Sequence, residues 1–189
     1  MQMVMNMSIS DMSFRPDSVR QLDSSECIID FDCGDQDLND FALHESWLYQ
    51  QARLSTTYIL ESSTGDIDGY FSLAHDRISM SDFESKTDFN KFRKKRFPNS
   101  KRMKSYPAIK ICRLGISIKM KGQRLGSGLL NLIKTMYLTD TKAGCRFITV
   151  DAYRDAIPFY EKNGFIPLNS DDEDDVTRVL YFDLMDLED

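Results

Sequence analysis

The chain has 189 residues, 41% hydrophobic and 29% charged, with a formal net charge of −6. That length supplies one sizeable core, and no stretch reaches the roughly 18 consecutive apolar residues of a membrane span, so a cytoplasmic protein is expected. The N-terminus lacks a secretory signal, four scattered cysteines (Cys27, Cys33, Cys112, Cys145) lack metal-ligand spacing, and only two histidines are present, so reduced thiols and no metal are expected. Residues 1–13 read as a flexible tail and 14–189 as a single domain. Within 14–31 the clearest strand signal is Cys27–Phe31. Asp35–Arg53 carries an apolar stripe at helical spacing (Leu38, Phe41, Ala42, Trp47, Leu48). Thr56–Glu61 and Gly69–Ala74 read as strands joined by turn residues at Ser63–Asp66, which predicts an antiparallel hairpin. Residues 83–105 form a polar, basic insertion, helical around Asp88–Phe97 and broken at Pro98. Ala108–Ile118 is the next strand, Gly126–Thr139 a helix and Arg146–Asp151 a strand. Ala152–Lys162 reads as a short helix with a kink or an early start at Pro158. Gly164–Pro167 begins a strand, and Thr177–Leu184 is the last. Antiparallel strands followed by a β-α-β-α-β order argue a mixed α/β sheet.

Charge is bipolar. Lys91–Lys104 holds eight basic residues and no acidic one, whereas Asp171–Asp175 is wholly acidic and reads as a surface loop, since consecutive carboxylates cannot all converge on one ion. The basic run reads either as a solvated surface or as a phosphate-backbone patch. In the second reading Arg93, Lys94, Lys95, Arg96, Lys101 and Arg102 supply charge, and Phe92 and Phe97 supply stacking.

Two stretches carry the chemistry. Ile109–Gly126 reads strand, basic glycine-containing loop, helix start. Such a loop faces anions with backbone N–H groups and the positive end of a helix dipole. Phe147–Phe165 reads strand, short helix with Phe159-Tyr160, then a turn at Asn163-Gly164. Alone, the tyrosine is equally a core aromatic with a polar tip. His75 follows an apolar strand, where a histidine base is conceivable, but a strand-end surface histidine explains it better.

Together these residues resemble the GNAT acetyltransferase superfamily, whose loop pattern is [Arg/Gln]-x-x-Gly-x-[Gly/Ala]. One register places Gln123, Gly126 and Gly128 on it. The preferred one places Lys121, Arg124 and Gly126 there, keeping the spacing from Arg113–Ile116 and the apolar pair Leu129-Leu130. In that register Lys121 and Arg124 depart from the pattern. Phe159-Tyr160 and Gly164-Phe165 match the later motif. The Cys33-Gly34-x-x-x-Leu38-Asn39-x-Phe41 stretch, Gly69–Ala74 and Val150–Ala152 resemble the toxin-like subgroup that acetylates aminoacyl-tRNA.

The resemblance implies a mostly antiparallel central sheet with a splayed strand pair and flanking helices. It implies acetyl-CoA as co-substrate, with no metal. Leu114, Gly115 and Ile116 would meet the pantetheine arm and polarise the thioester. Lys121, Gly122, Gln123, Arg124, Leu125, Gly126 and Ser127 would hold the pyrophosphate. Tyr160 would be the general acid. The expected activity is N-acetyl transfer to a primary amine, the α-amine of an aminoacyl-tRNA or a small-molecule or protein amine. A catalytically weak acyl-CoA-binding module is the alternative that the Lys121 and Arg124 departures leave open. The resemblance also implies an antitoxin protein partner and raises the expectation of a homodimer.

Overall fold

The structure, a computed structural model, describes residues 18–139, 143–169 and 175–187. The expected tail at 1–13 and nearly all of the acidic run lie outside the described residues. Seven strands form one sheet in the order β1-β2-β3-β4-β5-β7-β6. They are β1 (Val19–Gln21), β2 (Thr56–Glu61), β3 (Ile67–Ser79), β4 (Ser105–Ile116), β5 (Phe147–Tyr153), β6 (Ile166–Pro167) and β7 (Thr177–Asp183). β4 and β5 run parallel, whereas β1–β2, β5–β7 and β6–β7 are antiparallel. This is the mixed, mostly antiparallel sheet with flanking helices expected from the sequence. The chain divides into two compact units, Met1–Phe71 with Leu114–Leu132, and Ser72–Arg113 with Ile133–Asp189.

In the first unit, α1 (Gln36–Asp40) passes through a π-helical turn (Phe41–Glu45) into α2 (Ser46–Gln51). Asp35 caps α1 by accepting the Leu38 N–H at 3.1 Å, which satisfies a donor the helix start leaves open. The helical stripe expected over Asp35–Arg53 buries Phe41 and Ala42 against Leu22, Ile28, Phe31, Ile59 and Tyr70. Cys27–Phe31 is not a strand. Ile28 and Phe31 enter the core from irregular backbone, Ile29 between them is 93% exposed, and the strand that pairs with β2 lies earlier, at Val19–Gln21.

In the second unit, α3 (Lys86–Arg96) fills the basic insertion, capped by Ser85, which accepts from the Asp88 N–H. Phe89 and Phe92 on its inner face pack with Ile78, Tyr106, Ala108, Phe147 and Tyr181. Burial of each such ring contributes roughly 2 kcal/mol. β3 runs five residues beyond the expected Ala74, so His75 stands exposed in mid-strand rather than at a strand end. β5 likewise continues to Tyr153, and a 3-10 turn at Arg154–Ala156 precedes α5 (Ile157–Lys162). Pro158 therefore sits in the first turn of α5, where its missing N–H costs no bond, and no kink is needed. α4 (Leu125–Thr139) begins in the first unit and ends in the second.

Candidate functional site

In the first unit the chemistry gathers around the segment from Ser117 to Ser127. Two backbone bonds pin its entry. The Ser117 N–H donates to the Asp68 carbonyl at 2.9 Å, and the Ile118 N–H donates to the Asp32 carbonyl at 2.9 Å. Asp32 is itself fixed, because its carboxylate accepts from Asn39 at 2.9 Å and from the Gly34 N–H at 2.8 Å. These bonds, with the nearby Lys121 charge, hold the Asp32 carboxyl below its usual range, the Asn39 bond foremost. Asn39 also accepts the Cys33 N–H at 2.9 Å, and the Tyr70 hydroxyl donates to the Leu38 carbonyl at 2.7 Å. The Cys33–Phe41 motif thus has a mechanical meaning. It docks the start of α1 beside the basic loop.

Past a 3-10 turn at Ile118–Met120 the backbone turns left-handed twice, at Gly122 (φ +83°) and at Arg124 (φ +58°). A left-handed arginine is uncommon, and glycine is the residue that takes this conformation freely. The family pattern in the Lys121–Arg124–Gly126 register puts a glycine at this position. In the other register both glycines fall inside α4, where no left-handed residue is needed. The Gly128 N–H donates to the Arg124 carbonyl at 3.1 Å, which closes the first turn of α4. The amides of Leu125, Gly126 and Ser127 precede that first bond, so this is the anion-facing end of the helix. Lys121 lies close by, its Nζ within 3.3 Å of the point where a Cβ on Gly34 would stand.

Upstream, β4 pairs with β5 from Ala108↔Phe147 to Ile111↔Val150, and β4 continues beyond that register to Ile116. Leu114, Gly115 and Ile116 lie in that continuation. Gly115 is fixed by packing, since a Cβ there would stand 2.8 Å from the Tyr70 ring. An added Cβ on Gly69 would meet the Ile116 side chain at 2.9 Å and the Gly115 carbonyl at 3.1 Å, so β3 and β4 approach closely here.

In the second unit Tyr160 lies on α5, 7% exposed, its ring edge-on to Phe159 and Phe165 at 5.1 and 5.4 Å. Its hydroxyl has no hydrogen-bond partner among the described residues. Burial pushes the phenol well above its ordinary range, so it stays protonated at neutral pH. Sequence reasoning missed a buried lysine that meets the turn after α5. Lys134 on α4 is 6% exposed, and its Nζ donates to the Asn163 carbonyl at 2.6 Å, 3.8 Å from the Phe182 ring centroid. The clue was present in the sequence, because Lys134 stands four residues after Leu130 on the apolar side of α4.

The basic insertion divides by residue type. Arg96 turns inward. It lies over the Phe92 ring at 4.2 Å, donates to the Tyr181 hydroxyl, and pairs with Asp183 at 3.5 Å, its side chain 14% exposed. Arg93 donates to the Met103 carbonyl at 3.2 Å, and Arg102 to the Phe97 carbonyl at 3.2 Å. Lys94, Lys95 and Lys101 are exposed. Phe92 and Phe97 do not present free faces for bases. Phe92 is buried, and Phe97 stacks on Tyr106 at 4.1 Å. All four cysteines are free thiols, and among the described residues no cluster of His, Cys, Asp and Glu is placed to hold a metal. No described helix is long and apolar enough to cross a membrane.

Residues 99–183, which include both the left-handed turn and Tyr160, match the family pattern described as acetyltransferase (GNAT) domain. Over those residues the chain is similar to the GNAT acetyltransferase family. No curated protein matches it significantly. Solved structures share the GNAT fold across most of its length. AtaT complexed with acetyl-methionyl-tRNAfMet matches with a TM-score of 0.69 and 24% identity over 90% of this chain and 96% of that one. A tyrosine-to-phenylalanine mutant of KacT matches with a TM-score of 0.71 and 22% identity over 90% and 96%. AtaTR bound with AcCoA matches with a TM-score of 0.67 and 24% identity over 90% and 95%. The match over residues 99–183 supports an acetyltransferase activity.

Proposed function

We propose that this GNAT domain moves the acetyl group of acetyl-CoA to the α-amine of an aminoacyl-tRNA. The observation that carries the chemistry is Tyr160, a buried, protonated phenol whose hydroxyl no described residue engages. The loop suits the donor. Its left-handed turn at Arg124 opens α4 so that the first-turn amides, Lys121 and Arg124 meet a pyrophosphate. Backbone N–H groups of Leu114–Ile116 act as the oxyanion donors for the thioester carbonyl. The amine nitrogen attacks the carbonyl carbon and the carbon–sulfur bond breaks. Tyr160 gives its proton to the departing thiolate, the amine's proton leaves through water, and the tyrosinate takes a proton back through water to close the cycle. An α-amino group with a pKa of about 8 needs no strong base for this. The desolvation that raises the phenol also raises the thiol, so the tyrosine shift alone does not set the proton balance.

The acceptor reading rests on the fold neighbours, one of which holds an acetylated methionyl-tRNA, and on the exposed Lys94, Lys95 and Lys101. Other neighbour structures contain the antitoxin AtaR, and a protein inhibitor of this kind is part of the same proposal. A small or protein amine as acceptor is the second reading, favoured by the formal net charge of −6.

The test is acetyl transfer from radiolabelled acetyl-CoA to aminoacylated tRNA, beside a panel of polyamines and peptides. Label in the tRNA supports the first reading, and label only in small amines or peptides supports the second. Tyr160→Phe is expected to lower turnover about a hundredfold with little change in acetyl-CoA affinity. Full turnover in that variant would remove Tyr160 from the mechanism.

A further inference from the structure

The turn that ends α5 is fully specified. Asn163 caps the helix after Lys162, Gly164 follows at φ +84°, and the Gly164 N–H donates to the Glu161 carbonyl at 2.9 Å. The Phe165 N–H reaches back to the Tyr160 carbonyl at 3.1 Å. This is the paired-bond cap that closes many helices, including the apolar contact between its first and last residues, here the Tyr160 and Phe165 rings. Tyr160 is therefore the anchor of the cap, and the direction of its ring depends on the cap staying closed. The Asn163 carbonyl is left over by this pattern. Lys134 takes it from below at 2.6 Å, with its ammonium over Phe182 at 3.8 Å and Phe165 at 5.5 Å.

An apolar side chain would fill that space at lower cost. Lys134 has no acidic partner among the described residues, and desolvation draws its pKa down to about 8. A buried, uncompensated ammonium that contacts one carbonyl calls for a duty beyond packing.

We propose that Lys134 is the positioning residue for Tyr160, tying the Asn163 carbonyl so that the α5 cap holds the phenol where it protonates the leaving group. The proposal rests on the reading of Tyr160 as general acid. In this proposal Lys134 acts through the cap and not on the reacting atoms.

The experiment compares Lys134→Met and Lys134→Gln in the full chain, each alone and combined with Tyr160→Phe. It follows hydrogen exchange, thermal unfolding and acetyl transfer to the acceptor that the transfer assay identifies. Lys134→Met is expected to speed exchange of the Gly164 and Phe165 amides about tenfold. It should lower kcat by about tenfold or more and leave the KM for acetyl-CoA within about twofold, since a shift of about 1 Å in a catalytic group costs up to a hundredfold. Its midpoint of unfolding should be unchanged or higher, which a merely structural lysine would not produce. Lys134→Gln, which keeps a donor, should recover most of the rate. In the Tyr160→Phe background Lys134→Met should cost nothing more, because both act on one proton transfer. Unchanged exchange, or the same rate loss with and without the phenol, overturns the proposal. Full turnover in Tyr160→Phe alone would instead end the acid reading. Fast exchange beside it would then leave Lys134 a clamp without catalytic duty, which also overturns the proposal.

Discussion

Two seams of the second unit each bury a cation against aromatic rings, and they do so to opposite effect. Where α3 meets the sheet, Arg96 lies over Phe92 and pairs with Asp183, which Arg146 also engages at 2.7 Å. Where α4 meets α5, Lys134 lies over Phe182 but faces only a carbonyl. Both keep a ring contact worth up to about 2 kcal/mol when desolvated. Only the arginine also recovers the cost of leaving water through a carboxylate. The α3 seam is built for cohesion, and the α4–α5 seam gives up cohesion to fix one turn.

The largest effect that would break this contrast is on stability. Arg96→Leu leaves Asp183 with Arg146 as its one paired cation among the described residues and should cost about 2 kcal/mol, read as a fall of about 6 °C in the unfolding midpoint. An unchanged midpoint would mean that the α3 seam is no stronger than the other.

The Lys134 seam should answer to pH. Its folded-state pKa, about 8, lies below the ordinary lysine value of 10.5, so the unfolded chain binds more protons between those limits. Stability from this residue therefore rises with pH across that window. The unfolding midpoint of Lys134→Met should exceed that of the parent most below pH 8, and the gap should close toward pH 10.5. A gap constant with pH would show that the ammonium is not desolvated.

Smaller again is the effect of the exposed lysines. Lys94→Glu, Lys95→Glu and Lys101→Glu together should leave the unfolding midpoint within about 1 °C. They should lower transfer to aminoacylated tRNA about tenfold and flatten its dependence on salt. Equal transfer and an equal salt slope would reduce α3 to a structural seam alone. Smallest is Arg124→Gly, which relieves a left-handed arginine and should stabilise by about 1 kcal/mol or less while weakening acetyl-CoA binding. A loss of stability would show that the arginine is held by more than it strains.

These contrasts also mark where the sequence could and could not be read. Leu48 is 46% exposed beyond the π-helical turn, but the apolar spacing of Leu38, Phe41 and Ala42 and the alternation in Thr56–Glu61 follow from local periodicity, so both elements were legible. Cys27–Phe31 was not. An apolar run shows that side chains are buried and not that the backbone is paired, and Ile28 and Phe31 are buried from a loop. The end of β3 was hidden because His75–Arg77 is wholly polar in mid-strand, and burial resumes only at Ile78 and Ser79. At the site, Tyr160 and the Lys121–Gly126 segment were singled out by motif spacing as candidates. The strain at Arg124 was not, since φ has no signature in a residue that is not glycine. The basic run misled in a specific way. Charge is visible in a sequence, but whether an arginine turns inward depends on Asp183 and Tyr181, more than eighty residues away along the chain.

The aromatic underside of α3 has a consequence for anyone shortening this protein. A segment between two strands that is rich in charge looks like an ornament to be trimmed. Here Phe89 and Phe92 are its inner face, 2% and 8% exposed, and they roof the sheet over Phe147 and Tyr181. Excising residues 83–105 would unroof the sheet rather than tidy its surface. A minimal version of this protein must keep the insertion, and only its outward lysines are open to redesign.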